Sequence, residues 1–243
     1  MPRFFLPPTG FAGERVRFTP EDARHICLVR RLEPGAVVRA ADGQGYSYEI
    51  VLETVRPETV EGRVILRYRE ETEPGLKIHL CQSLLKGEKM DLVLQKGTEV
   101  GISAFHPFFS RRTVVRLDPG RAGKKRARWA RIVLEAAKQS ERGLIPTVTH
   151  PTTVKELSLP PGVPALVAWE EEKETTLRQV LDKIPKPEEL ALIIGPEGGF
   201  AREEVEIFHT AGAVPVSLGS RILRAETAGP VTAALILYHY GEL

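Results

Sequence analysis

The stretch ELALIIGPEGGFAREEVE, residues 189–206, decides the fold of this chain. An apolar run, LALIIG, is followed by a glycine-rich turn and then by the acidic start of a helix. An apolar run without polar alternation is typical of a parallel strand that is buried on both faces of its sheet. Ligands of open α/β sheets bind beyond the carboxyl ends of such strands, so the turn at residues 195–199 is a candidate binding loop.

The same order of strand and helix is repeated on both sides of this stretch. Three strand–helix pairs precede it: LKIHLCQSLL with EKMDLVLQKGTEVG, AFHPFFS with KKRARWARIVLEAAKQS, and PALVAWE with TTLRQVLDKI. The strand VPVSLG and the helix AGPVTAALILYHY follow it. Alternating strands and helices of this kind predict an α/β domain with a mainly parallel sheet flanked by helices.

The amino-terminal part has a different pattern. Residues 1 to about 69 contain short β-branched or alternating runs, one helical piece, PEDARHICLVRRL, and a DGQG turn with the chemistry of a hairpin. The acidic stretch EETEPG, residues 70–75, is typical of a linker. We therefore expect a small β-rich domain over residues 1–72 and the α/β domain over residues 73–243.

Composition excludes several classes of protein. The chain has 243 residues, 34 Lys and Arg against 32 Asp and Glu, and 42% hydrophobic residues, which is typical of a folded globular protein. It lacks a long apolar run, and MPRFFLPPTG has Pro and Arg where a signal peptide is apolar, so we expect a cytoplasmic protein without a membrane segment. Cys27 and Cys81 form no CxxC and no HExxH occurs, so we expect no metal.

The charge is distributed unevenly along the chain. Residues 111–142 contain eleven Lys or Arg and three acidic residues, a net charge of +8, whereas residues 170–206 have a net charge of −6. A basic segment of this kind favours a polyanion such as nucleic acid. Trp129, Gln139 and Ser140 within it suit contacts to bases and phosphates, although a solvated helix face is the alternative.

The glycine-rich turn favours a neutral or cationic ligand. Its glycines remove side chains, so that the backbone can approach a ligand. It lacks the GxGxxG and Lys-Ser/Thr patterns of phosphate loops. Glu197, Glu203 and Glu204 also place carboxylates where a phosphate would need the helix N-terminus. A purely structural turn between strand and helix is the alternative.

A second loop, VSLGSRILRAETAGPVTAA over residues 216–234, concentrates polar residues between an apolar strand and an apolar helix. Glu226 or Thr227 could cap the helix. A cap does not explain Arg221 and Arg224, so this loop is a second candidate wall of a site.

Four ordered motifs, KGEKMDLVLQKGTEVGI, KQSERGLIP, GPEGGFAREEVE and SLGSRILRAETA, resemble those of the bacterial 16S ribosomal RNA uridine-N3 methyltransferase family (RsmE type). That family belongs to the SPOUT, or α/β-knot, methyltransferases. The strings RFF, HICLVRRLEPG and DGQG resemble its small RNA-binding domain, so the resemblance covers nearly the whole chain.

The resemblance implies a PUA-like β-barrel domain followed by a SPOUT domain with a deep trefoil knot, which general topology rules alone would argue against. It also implies S-adenosylmethionine as cofactor, a homodimer, and 16S rRNA of the small ribosomal subunit as substrate. Other SPOUT enzymes act on tRNA or on ribose, and a non-catalytic rRNA-binding assembly protein is a further alternative.

The resemblance also implies site residues. One wall of the cofactor pocket is expected from Gly195, Pro196, Glu197, Gly198 and Gly199, and the other from Leu218, Gly219, Ile222, Leu223, Thr227 and Ala228. Expected RNA contacts are Arg3, His25, Arg30, Arg31, Arg111, Arg112, Lys138, Gln139, Ser140 and Arg142. His25 equally suits a core or capping position.

Two residues of the second loop are candidate catalytic residues. Transfer of a methyl group to a uracil nitrogen requires N3 to lose its proton and the two reacting centres to be aligned. We expect Arg224 to stabilise negative charge on the uracil oxygens and Glu226 to orient Arg224 or accept the proton.

Overall fold

The computed structural model describes residues 3–115, 119–157 and 162–243. The chain divides into two compact units, Met1–Glu73 with Ala137–Ile145, and Pro74–Ala136 with Pro146–Leu243. The sequence suggested a single boundary after residue 72 and gave no sign that residues 137–145 join the first unit. They do so partly through the backbone, since the N–H of Gly45 donates to the carbonyl of Gly143 at 3.2 Å.

The first unit contains a six-stranded sheet in the order β1-β4-β5-β6-β3-β2. Its strands are β1 Arg3–Phe5, β2 Phe11–Ala12, β3 Arg15–Arg17, β4 Val37–Ala41, β5 Tyr46–Arg56 and β6 Thr59–Arg69. Pairing is antiparallel except between β1 and β4. The predicted DGQG turn joins β4 to β5, and Gly43 and Gly45 adopt φ of 72° and 99°, which glycine allows at little cost.

The helical piece of the first unit has two parts. Helix α1, Pro20–Arg24, begins after the N-cap Thr19 and continues into a π-helical turn, His25–Val29. The sequence predicted one helix here, because local periodicity does not distinguish a π-turn from an α-helix. Phe4, Ile26 and Val38 belong to the core of this unit.

The second unit alternates strands and helices. Its elements are β7 Lys77–Ser83, α2 Lys89–Val100, β8 Ala104–Phe109, α3 Pro119–Gln139, β9 Thr147–Val148, β10 Thr152–Thr153, β11 Ala165–Ala168, α4 Leu177–Leu181, β12 Glu189–Ile194, α5 Arg202–Thr210, β13 Ala213–Val216 and α6 Ala225–His239. The last residues of α3 belong to the first unit. Helix α2 ends at Gly101, where φ is 117°.

The seven strands β7 to β13 form one sheet in the order β10-β8-β7-β12-β11-β13, with β9 also beside β8. Every strand pair in it is parallel, which confirms the predicted parallel sheet. Leu190 and Leu192 are fully buried, as expected for a strand covered on both faces. Strand β11 lies between β12 and β13, so the three carboxyl ends are adjacent.

None of the helices within the described ranges combines the length and the apolar character that a membrane span requires.

Candidate active site

The loops that follow β11, β12 and β13 line one cleft of about 340 Å³ in the second unit. They meet because the three strands are parallel neighbours, so the strands end at the same edge of the sheet. Nine of the eleven predicted cofactor residues line the cleft, together with both candidate catalytic residues: Gly195, Pro196, Glu197, Gly199, Leu218, Gly219, Ile222, Leu223, Ala228, Arg224 and Glu226. Gly198 and Thr227 are not among the lining residues.

Two groups of lining residues come from outside the two predicted loops and were not expected from the sequence. The first is Lys89, at the start of α2. The second comes from the loop after β11 and includes Trp169, Glu170 and Lys173. Because that loop follows a buried parallel strand, it could have been predicted as a candidate binding loop. The sequence does not give the order of the strands in the sheet, which brings this loop beside the other two.

The GPEGG loop is held by side chains from β7 and from the segment that follows β8. Gln82, fully buried at the end of β7, donates from Nε2 to the carbonyl of Gly195 at 3.2 Å. Arg112 donates from Nη1 to the carbonyl of Gly198 at 2.8 Å. Gly199 has φ of 69°, and a Cβ there would lie 2.8 Å from Cδ of Glu170. The loop conformation therefore requires glycine at 199.

Lys89 joins two carboxylates in the cleft. Its Nζ lies 3.2 Å from Oε1 of Glu197 and 3.8 Å from Oε2 of Glu226. The same Oε1 accepts a hydrogen bond from the backbone N–H of Lys86 at 3.1 Å. Partial burial by itself raises the pKa of Glu197. Hydrogen bonds from the backbone N–H groups of Glu197 and Lys86, together with the hydrogen bond and positive charge of Lys89, outweigh burial and lower the pKa. Glu197 is therefore ionised near neutral pH.

Glu226 lies at the start of α6 with one unsatisfied oxygen. Its Oε2 is buried and accepts no hydrogen bond from the residues that the structure describes. Arg224, at the N-cap of α6, places Nη1 4.0 Å from Oε1 of Glu226. The Arg224 side chain is 82% exposed, so its guanidinium is free to meet a ligand that enters the cleft.

Comparisons with known proteins show the family to which this chain belongs. Residues 72–237 match the model of a family described as an RNA methyltransferase domain. Ribosomal RNA small subunit methyltransferase E of Bacillus subtilis is 34% identical over 252 residues, which cover 100% of this chain and 98% of that relative. This chain belongs to the ribosomal RNA small subunit methyltransferase E family.

Solved structures support membership of the methyltransferase E family. A ribosomal RNA small subunit methyltransferase E from Neisseria gonorrhoeae, bound to S-adenosylmethionine, has a TM-score of 0.88 and 31% identity, and the match covers 98% of this chain and 97% of that one. The protein Lpg2936 of Legionella pneumophila, in complex with the bound cofactor S-adenosylmethionine, has a TM-score of 0.85 and 31% identity, with the same coverage.

Two predicted rRNA contacts lie beside the GPEGG loop. Arg111 and Arg112 follow β8, and their backbone is tied to α5 because the N–H of Arg111 donates to Oε1 of Glu204 at 2.7 Å. Both side chains are exposed. The hydroxyls of Ser83 and Thr113 bond to each other at 3.0 Å, which further fixes this loop.

Helix α3 carries much of the basic segment. Lys124 and Arg131 on it are exposed, but Trp129 is buried in the core and is not available to stack on a base. Arg116 and Asp118, which contributed to the charge count, lie outside the described residues. The segment is therefore a basic surface without the aromatic contact that the sequence suggested.

Two predicted rRNA contacts in the first unit, Arg3 and Arg142, are held inside that unit. Arg3 places Nη2 2.8 Å from Oε2 of Glu70, and the buried Arg142 places Nη2 2.7 Å from Oε2 of Glu73. Charge-assisted hydrogen bonds of this kind give both arginines a structural role, so contact with RNA would require the ion pairs to open.

The other predicted contacts of the first unit are more accessible. His25, Arg30, Arg31 and Gln139 are exposed, and Lys138 and Ser140 are half-buried near the end of α3. Within the described ranges, no group of His, Cys, Asp and Glu side chains could hold a metal ion.

Proposed function

We propose that this protein uses S-adenosylmethionine to methylate N3 of a uridine in the 16S rRNA of the small ribosomal subunit. The observation that carries the proposal is the single cleft formed by the GPEGG loop, the SLGSRILRAET loop and the loop after β11, at the carboxyl ends of three parallel strands. Full-length similarity to ribosomal RNA small subunit methyltransferases E supports it.

The residues of the cleft fit a sulfonium cofactor. Glu197 supplies negative charge, and Oε2 of Glu226 is a buried acceptor without a donor among the described residues. A Cβ at residue 199 would displace the Glu170 carboxylate, so glycine preserves the present shape of this wall of the cleft. Ile222 is exposed in the cleft, so a ligand ring that covers its side chain would bind more tightly because apolar surface is removed from water.

When bound, S-adenosylmethionine supplies an electrophilic methyl group. The residues of this chain then have two tasks, which are to align the uracil and to favour its deprotonated form. The exposed guanidinium of Arg224 stabilises negative charge on the uracil oxygens. Glu226 orients Arg224 across their 4.0 Å separation or accepts the N3 proton. The target base is unpaired or flipped, because N3 is engaged in base pairing.

Further parts of the proposal concern the assembly. Helix α6 exposes Val231, Leu235 and Tyr238 at helical spacing, and this apolar stripe supports a homodimer through the second unit. The first unit acts as a PUA-like RNA-binding domain, the second contains the SPOUT trefoil knot, and the enzyme acts in the cytoplasm during ribosome biogenesis.

The test is nucleoside analysis of small ribosomal subunits that lack the modification. After incubation with the protein and S-adenosylmethionine, 3-methyluridine should appear in 16S rRNA, and sedimentation should show a species of twice 27.0 kDa. Methylated ribose or tRNA would favour the related SPOUT enzymes, and rRNA binding without any methylated product would favour a non-catalytic assembly protein. Either result overturns the proposal.

A further inference from the structure

Gln82 is a buried polar residue with apolar neighbours in the sheet of the second unit. It lies near the end of β7 and is fully buried. It is paired in the sheet with Ile194 of β12 and Pro107 of β8, and both of these neighbours are buried. A methionine of similar length would fill this space without a polar group to desolvate, so packing alone does not explain the amide.

The amide of Gln82 is only partly satisfied. Its Nε2 donates to the carbonyls of Ser83 at 3.1 Å and Gly195 at 3.2 Å. Its Oε1 is buried and accepts no hydrogen bond within the described residues. Gly229 of α6 lies close to this oxygen, because a Cβ at residue 229 would be 3.3 Å from Oε1. A buried acceptor without a donor destabilises the folded state, since it has lost its hydrogen bonds to water.

The hydrogen bond to Gly195 orients a peptide group that has a single polar anchor. This peptide joins Gly195 to Pro196, and proline has no N–H, so the carbonyl is its only hydrogen-bonding group. Among the described residues, Gln82 is the donor to this carbonyl. The bond therefore fixes the rotation of the peptide at the point where β12 ends and the GPEGG loop begins.

Gln82 acts on the cleft from outside it. Gly195 and Pro196 line the cleft, whereas Gln82 does not. The other end of the loop is held by Arg112, which is exposed, so water competes for its bond to the carbonyl of Gly198. The amide of Gln82 is buried, and shielding from water strengthens the bond that it donates.

We propose that Gln82 is a positioning residue, which holds the peptide between Gly195 and Pro196 in the orientation that the cofactor requires. Its unsatisfied oxygen is the cost of this role in stability. The inference rests on the proposed function, which makes S-adenosylmethionine the ligand of the cleft. It separates two properties, because removal of the amide should weaken cofactor binding without destabilising the protein.

The variant Gln82→Met keeps the length of the side chain and removes its amide. The Kd for S-adenosylhomocysteine and the KM for S-adenosylmethionine should rise roughly 3- to 10-fold, as expected for the loss of one hydrogen bond. The kcat should change less than roughly twofold, because the candidate catalytic residues Arg224 and Glu226 lie on the other loop. The Tm should fall by less than roughly 2 °C, because an unsatisfied oxygen is removed and the half-buried Gly195 can turn its carbonyl to water.

Amide hydrogen exchange of the free protein tests the positioning directly. The N–H of Gly199 donates to the carbonyl of Pro196 at 3.0 Å, so its protection reports the conformation of the loop. Exchange over residues 197–201 should be faster in Gln82→Met than in the wild type. Thr232 of α6 gives a matched control, because it is also fully buried and its Oγ1 has no partner in the described part of the chain. Thr232→Val should leave the Kd, the KM and the exchange of the loop unchanged.

The outcomes separate the inference from the proposed function. Wild-type affinity and wild-type loop exchange in Gln82→Met would overturn the inference. A large fall in Tm with faster exchange throughout the second unit would show that the amide only stabilises the fold, and would also overturn it. If the wild type itself binds no S-adenosylhomocysteine while loop exchange still rises in Gln82→Met, the proposed function is overturned instead.

Discussion

The substitution Gly199→Ala tests whether the GPEGG loop is shaped for a ligand. A left-handed residue with a side chain costs about 1–2 kcal/mol, and Gly199 has φ of 69°. The new Cβ would also lie 2.8 Å from Cδ of Glu170, so this carboxylate must move within the cleft. For a chain of this size, we expect a fall in Tm of about 2–8 °C. We also expect at least a roughly tenfold weaker affinity for S-adenosylhomocysteine, equivalent to about 1.4 kcal/mol.

Two further variants separate backbone strain from the contact with Glu170. Gly212 has φ of 95° and open space around its Cβ position, so Gly212→Ala should lower Tm without changing affinity in titration calorimetry. Adding Glu170→Ala to Gly199→Ala should remove the steric conflict and leave only the strain. If Gly199→Ala binds S-adenosylhomocysteine as the wild type does, while its Tm falls like that of Gly212→Ala, the proposed fit of the loop to a cofactor is wrong.

Three other substitutions test the electrostatics. Lys89→Met should raise KM for S-adenosylmethionine and lower kcat in steady-state assays, because Glu197 and Glu226 lose the cation that holds them in position and then repel each other. Lys96→Met on the same helix should change neither. Arg224→Ala should lower kcat roughly 100-fold with an unchanged Tm, since its side chain is exposed; a wild-type rate would remove it from the mechanism. Burial, and to a smaller extent the charge of His79, lowers the pKa of His106 from 6.5 to about 4. As the pH falls, the unfolded state therefore takes up this proton before the folded state does. The free energy of unfolding should decrease between about pH 6.5 and pH 4. His106→Asn should reduce this loss of Tm between pH 7 and pH 5, and an unchanged loss would contradict the assignment.

The sequence by itself determined the order of elements and the location of two loops that line the cleft. Apolar runs such as LALIIG indicate a strand that is buried on both faces, and glycines such as Gly43 and Gly45 indicate a turn with positive φ. Each condition depends on a few consecutive residues. The parallel sheet and the two loops at strand ends could therefore be predicted without coordinates.

Only the tertiary structure decided which distant residues meet. The placement of β11 between β12 and β13 brings Glu170 against Gly199, and the packing of α2 brings Lys89 to Glu197. Arg142, expected to contact RNA, instead pairs with Glu73. A surface arginine and a buried arginine look alike in a sequence, because the difference lies in a carboxylate 69 residues away. Local periodicity carries no information about such partners, since burial and ion pairing depend on how the strands are ordered in space.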